Sequence, residues 1–421
     1  MKKVLIITSH FPPSNLAGVH RSRLFAQHLP SFGWEPIILT VHENYYEEKP
    51  DPNLVKLLPP DLKIEKVKAF KRKGPIGDTG LRGFFQLYKK GKQIIREQKP
   101  DFLYIPIPSF YCALLGRLLH AHTGIPYGID YIDPWVHEFP GSRKKFSRHW
   151  FSTKLAKMLE PYAVKKASAI TGVAEGYYRP VLERNPHLQK ISSGAMPYGG
   201  EVKDHEIISS LALTPYLFKK NNNKIQFVYA GAMLPKAYDP LERIFEAIAA
   251  AKEDFADVEF HFIGTGKLPN DPESYNIRPL AEKYGLWNSI VFEYPARIPY
   301  LDVLVHLDIA AAAFILGSTE PHYTPSKVYQ SILSGKPLLA VLHEESSAVK
   351  VTEDSGAGIV LSFNGPGDTD RIRKQFNDHF NRFRAFMHLF KKENVRSEIF
   401  DEYSARAVTK KLVEVLNKAL R

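Results

Sequence analysis

Cysteine is nearly missing. Cys112 stands alone in 421 residues, which excludes an intramolecular disulfide, and no Cys/His cluster has the spacing of a structural zinc site. A reducing compartment is the expected setting. No stretch reaches the roughly 18 to 20 continuous apolar residues that span a bilayer, and the apolar opening, residues 4–8, is too short for a secretory leader. Low-complexity tracts and internal repeats are lacking too, so the hydrophobic fraction of 44% and charged fraction of 24% describe an ordinary folded protein. After the first apolar run the chain reads Thr8-Ser9-His10-Phe11-Pro12-Pro13, without the Gly-x-Gly-x-x-Gly of a dinucleotide fold, which argues against a nicotinamide enzyme.

Acid is in deficit: 45 Asp and Glu face 57 Lys and Arg, a formal charge of +12. The excess is local. Residues 65–99 carry eleven bases against three acids, and residues 142–166 carry eight against one, so the remainder is slightly negative. Both segments are interleaved with aromatics, Phe70, Phe84, Phe85 and Tyr88 in the first and Phe146, Trp150, Phe151 and Tyr162 in the second. That mixture suits an anionic bilayer, where bases meet lipid phosphates and rings enter the interface; a pair of solvated basic helices has the same composition. No nucleic-acid motif accompanies the charge, so nucleic acid is not the expected partner. Arg143, Lys144, Lys145, Arg148 and Trp150 are the expected membrane or acceptor surface.

At this length two domains are expected, since single cores seldom grow past about 250 to 300 residues. Short apolar runs at residues 4–8, 35–41, 102–105, 127–131 and 169–173 alternate with helical patterns such as residues 21–32. The alternation restarts with runs at 225–230, 258–263, 290–292, 309–314 and 338–342 and a helix over 240–251. Each half therefore reads as a doubly wound α/β domain with a parallel sheet, and ligands are expected at strand C-terminal ends. The boundaries read as residues 1–199, a linker over 200–223 containing Lys219-Lys220-Asn221-Asn222-Asn223, and residues 224–403. An amphipathic helix over about 404–421 is expected to pack back on the first domain.

Thr324-Pro325-Ser326-Lys327 opens a short helix that Gly335 and Pro337 end, ahead of the apolar run 338–342. Free N–H groups with Lys327 suit a phosphate or diphosphate, although an ordinary capped helix has the same sequence.

Several segments together resemble the GT-B glycosyltransferases, family 4 type: Ser9-His10-Phe11-Pro12-Pro13 through Gly18-Val19-His20-Arg21, Asp130-Tyr131-Ile132-Asp133-Pro134-Trp135, Phe227-Val228-Tyr229-Ala230-Gly231, Phe260-His261-Phe262-Ile263-Gly264-Thr265-Gly266 and the Ser326-Lys327 segment. The resemblance runs through nearly the whole chain. It implies two Rossmann-like domains facing across a cleft and transfer of a sugar from a nucleotide-diphosphate sugar to a hydroxyl of a glycan or lipid-linked acceptor, in cell-surface polysaccharide or glycolipid synthesis. It implies no cofactor and no metal; the basic aromatic segments, with no leader or spanning run, give the expected location as cytoplasmic, peripheral on the cytoplasmic membrane face. Donor contacts would come from Gly18, Arg21, Gly231, Lys236, Thr324, Ser326, Lys327 and Gln330. Asp133, with Asp130 and His137 in reserve, would orient or deprotonate the acceptor.

One departure stands out. The family commonly carries two Glu eight residues apart, the second five residues before the Gly of Gly-x-Pro, and here those positions are His322 and Gln330. Glu320, two residues ahead of the first, is the nearest carboxylate, and Gln330 can still hydrogen-bond a sugar or ribose. Two other readings follow: a sugar-nucleotide epimerase of the same fold, or a catalytically inactive nucleotide-sugar-binding scaffold.

Overall fold

The computed structural model describes residues 1–72, 77–107, 109–136, 144–268, 270–321, 323 and 325–421. The chain divides into two compact units, Met1–Tyr198 with Ala405–Arg421, and Gly199–Ser404. In the first, strands β1 (Lys2–Ile7), β2 (Trp34–Val41), β3 (Lys63–Val67), β4 (Phe102–Pro106), β5 (Tyr127–Tyr131), β6 (Ala169–Gly172) and β7 (Ser192–Ala195) form one sheet in the order β3-β2-β1-β4-β5-β6-β7. Every pairing is parallel. The second unit builds β8 (Ile225–Ala230), β9 (Val258–Ile263), β10 (Val291–Tyr294), β11 (Ala312–Leu316), β12 (Leu338–His343) and β13 (Gly358–Phe363) into a parallel sheet, order β10-β9-β8-β11-β12-β13.

Both sheets are doubly wound, and their inner strands are apolar runs buried on both faces: Val4, Leu5, Ile6 and Ile7 in one, Leu338 to Leu342 in the other. The strand order reverses between β1 and β4 and again between β8 and β11. Crevices at such switch points, beyond the strand C-termini, are where α/β sheets bind ligands.

The helices used below are α1 (Ala17–His28), α2 (Phe84–Gln98), α3 (Ala113–Thr123), α4 (Arg148–Val164), α5 (Lys327–Leu333), α6 (Thr369–Leu389) and α7 (Ala405–Ala419). Helix α1 starts four residues before the expected helix, at Ala17, and hands over to a 3-10 turn at Leu29–Phe32, where Pro30 interrupts the α pattern. Helix α7 lies in the core of the first unit: Val408, Leu412, Val415 and Leu416 pack with Val4, Ile6 and Phe25, and Ser192 Oγ donates to Val415 O at 2.9 Å. Residues 200–223, expected as a linker, lie in the second unit and carry a helix, Val202–Ser210. The run expected as a strand over 309–314 begins later, at Ala312, because Tyr300–Ile309 is helical.

Candidate functional site

In the second unit the two loops at the switch point follow β8 and β11, and they bring together residues nearly a hundred positions apart. Gly231 leaves β8 with φ +113°, a conformation that side chains rarely adopt, and a Cβ there would lie 3.5 Å from Lys327 Nζ. That Nζ sits 3.5 Å from the centroid of the buried Tyr229 ring, on β8. Part of the lysine side chain reaches solvent, but the Nζ is sealed and has no hydrogen-bond acceptor among the described residues.

An ammonium held this way is costly. The ring face returns about 2 kcal/mol or less, and no hydrogen bond from the described residues replaces the lost hydration. Burial accordingly pulls the Lys327 pKa down to about 7. An anion reaching that Nζ would supply the missing acceptor and hold it charged.

Around this group the expected donor residues divide. Ser326 precedes α5, half-buried, and makes no side-chain cap. Helix α5 is only seven residues long, so Lys327 itself, rather than a helix terminus, is the chemical feature of the segment. Lys236 Nζ is 2.9 Å from Glu320 Oε1, both partly exposed, so the base and acid expected to serve separately are one ion pair. Gln330 Oε1 lies 2.8 Å from His205 Nε2. Burial lowers the pKa of His205, more than its bond to Gln330 raises it, so the ring is neutral and Nε2 carries the proton. Thr324 and His322 lie outside the described residues.

The first unit corrects one expectation. Arg21 is fully buried, with Nε and Nη2 on the two carboxylate oxygens of Asp130, the latter at 2.9 Å, and Nη1 on the carbonyls of Met196 and Pro197. Its fork is spent on the protein interior, so it is a structural cation and not a phosphate ligand. Asp130 is equally occupied, accepting from Thr171 Oγ1 at 2.8 Å as well. Gly18 is buried in the first turn of α1, which has no side-chain cap and no acid. Asp133 is exposed on the bend after β5, and Trp135 beyond it stacks on Phe110 at 5.9 Å. His137 and Arg143 lie outside the described residues, whereas Lys144, Lys145 and Arg148 are exposed at the start of α4 with Trp150 half-buried behind them.

A polar cluster at the end of β1 carried no sequence signal beyond its place in the opening loop. His10 Nδ1 is 2.9 Å from Ser9 Oγ, its Nε2 is 3.9 Å from Glu48 Oε1, and Ser14 Oγ also donates to Glu48. Tyr46 Oη accepts from Phe11 N at 3.0 Å and donates to Val41 O at 2.8 Å, tying residues 9–14 to the end of β2. Burial lowers the His10 pKa, against the pull of Glu48, so its ring can accept a proton. His205 and Tyr229 were also missed: each acts through a partner about a hundred residues away in the chain.

No protein-family model matches the sequence, and no curated protein does. Solved structures do. Anabaena HepE in complex with UDP and glucose is similar over 99% of this chain and 100% of its own, with TM-score 0.64 at 13% identity. A UDP-forming α,α-trehalose-phosphate synthase from Burkholderia xenovorans is similar over 100% of both chains, with TM-score 0.64 at 11% identity. A Listeria monocytogenes protein assigned as a UDP-N-acetylglucosamine 2-epimerase covers 99% of this chain and 96% of its own, with TM-score 0.56 at 11% identity. With two parallel, doubly wound sheets in this order and neighbours matched from end to end, the chain has the GT-B glycosyltransferase fold.

Proposed function

We propose that the protein is a glycosyltransferase that takes a hexose or related sugar from a nucleotide-diphosphate sugar and places it on a hydroxyl of a glycan or lipid-linked acceptor. The observation that carries this reading is Lys327: a sealed ammonium without an acceptor among the described residues, beside a side-chain-free Gly231, in the crevice where such sheets bind ligands. In the reaction the bond from the anomeric carbon to the diphosphate oxygen breaks and a bond to the acceptor oxygen forms. The acceptor proton leaves with the diphosphate or passes to a protein base, and Lys327 stabilises the negative charge that develops on the departing diphosphate. Asp133 is the proposed group for the acceptor hydroxyl. Transfer in this reading needs no metal, and the work serves polysaccharide or glycolipid synthesis at a cytoplasmic membrane face. Anabaena HepE, similar in fold, has been solved in complex with UDP, with UDP and glucose, and with UDP-glucose, which supports a nucleotide-sugar donor.

The inactive-scaffold reading has one observation in its favour: Gln330 stands where the family has Glu, and His205 already satisfies its oxygen. Calorimetric titration of UDP, followed by nucleoside-diphosphate release from UDP-hexoses with membrane extract as acceptor, separates the two. Binding and release that both fail in Lys327→Ala support the transferase. Binding without release on any donor supports the scaffold, and no binding of any nucleoside diphosphate sinks both.

A further inference from the structure

Helix α4 is apolar on two opposite sides. Ala156, Ala163 and Val164 face inward, while Phe151, Leu155, Met158 and Tyr162, spaced by four, three and four residues, are 55%, 36%, 65% and 47% exposed. At the start of the helix Phe146, 77% exposed, extends the patch through Trp150, and Trp150 stacks edge-on against Phe151 at 4.9 Å. A continuous stripe of large apolar side chains on a soluble surface marks a contact.

The charge beside it is of one sign. The one acid of the segment, Glu160, points inward and is bound by the Arg184 guanidinium at 2.7 and 3.0 Å. Lys144, Lys145, Arg148, Lys154, Lys165 and Lys166 remain exposed. Helix α2 packs on α3, and α3 on α4. Between α2 and α3 lies a groove of about 580 Å3 lined in part by Tyr88, Lys89, Lys92, Arg96, His122 and Thr123. Lys89, Lys92 and Arg96 form no ion pair among the described residues, whereas their neighbour Lys90 is bound to Glu65 at 2.9 Å.

We infer that this three-helix face docks on an anionic bilayer, with the α4 stripe entering the acyl boundary and the α2/α3 groove receiving the phosphate of a lipid headgroup. This deepens the membrane side of the proposed function and names the residues that perform it. A second copy of the chain fits poorly, because self-association would set these lysines against each other. Nucleic acid would use the bases and leave the stripe in water. A bilayer satisfies both features, since headgroup phosphates lie immediately above the apolar boundary.

The test is flotation of the full chain with vesicles of phosphatidylcholine containing about one third phosphatidylglycerol, against phosphatidylcholine alone. Wild type should partition to the anionic vesicles and not the neutral ones, with a blue shift of tryptophan emission as Trp150 enters the interface. Phe151→Ser/Leu155→Ser/Met158→Ser and, separately, Lys89→Glu/Lys92→Glu/Arg96→Glu should each reduce partitioning about tenfold or more. All six side chains are on the surface, and unchanged far-ultraviolet dichroism checks the fold. Equal binding to neutral vesicles, or unchanged partitioning in the stripe variant, overturns the proposal. So does a dimer in sedimentation that the stripe variant dissociates, or an oligonucleotide bound as tightly whether the stripe is present or not. The readout needs neither nucleotide nor turnover, so the transferase reading and this one fail separately.

Discussion

His205 Nε2 donates to Gln330 Oε1 across 2.8 Å, so the position where the resembled family has a carboxylate is held by a neutral ring. With a Glu at that position, the same geometry would be an ion pair and the ring would charge more readily. Gln330→Glu should therefore raise the His205 pKa, as followed by the imidazole resonances in an NMR titration. Gln330→Ala should instead leave a part-buried donor without its partner and cost about 1 kcal/mol in denaturant unfolding. An unmoved His205 titration in the Glu variant would show that the two groups are not coupled.

Lys327 makes stability and binding pull in opposite directions. Its native pKa, near 7, lies below the ordinary 10.5. Between those values the unfolded chain binds the proton that the native chain has lost. Stability of the nucleotide-free protein should thus rise from pH 7 to pH 10 relative to Lys327→Met. At pH 7 the Met variant should melt higher than wild type yet bind UDP at least about tenfold more weakly. UDP should also draw a proton onto wild type near pH 8, read as a dependence of calorimetric heat on buffer ionisation enthalpy. No proton uptake would mean that the nucleotide does not reach this amine.

The Arg21 and Asp130 pair makes a different claim. Arg21→Ala strands the buried Asp130 carboxylate and should cost about 3 to 5 kcal/mol. Arg21→Met/Asp130→Asn, which removes both charges, should recover part of that loss. Donor binding, measured by UDP affinity in whichever variant folds, should stay within about twofold of wild type, because no phosphate contact is being removed. A tenfold loss would restore Arg21 to the donor site.

Acid should loosen the second unit. His306 Nε2 accepts from the backbone N–H of Tyr216 and Leu217 at 3.1 and 3.0 Å, while its Nδ1–H donates to Asp302 O at 2.7 Å. His261, stacked on Phe218 at 3.9 Å and beside Glu259 and Tyr294, is held by burial to a pKa of about 4. Burial lowers His306 as well, with Asp302 opposing. Both are neutral natively, so their contribution is whole above the ordinary histidine pKa of about 6.5 and is lost as pH falls from there toward 4. Tm should drop steeply over that window, and less so in His306→Leu. An equal drop in the variant would place the acid lability elsewhere.

Much of the fold could be read from the chain because buried parallel strands are written as apolar runs. The exceptions are physical. Lys63–Val67, Ser192–Ala195 and Gly358–Phe363 are edge strands, paired on one side only, and the first two, half-exposed, carry no apolar run. Helix α6 buries Ile372, Phe376, Phe380 and Phe383 at helical spacing, but its many charges conceal the stripe. At the site, Lys327 and Gly231 were legible as types at strand ends. The engagement of Arg21 with Asp130, of Lys236 with Glu320 and of Gln330 with His205 was not, because the partners are 84 to 125 residues apart and only the completed sheets bring them together.

The return of α7 to the first sheet makes the second unit an insertion, held by the chain at both ends. During synthesis all of Gly199–Ser404 is made before the seventeen residues that close the first core, so the later unit in sequence is the earlier one able to finish folding. A nick in either connection divides the chain in two, and the packing of α7 on the first sheet then holds the pieces together. Removing α7 strips Leu412 and Leu416 from against Val4 and Ile6, so a deletion at the far end of the chain is felt at its first strand.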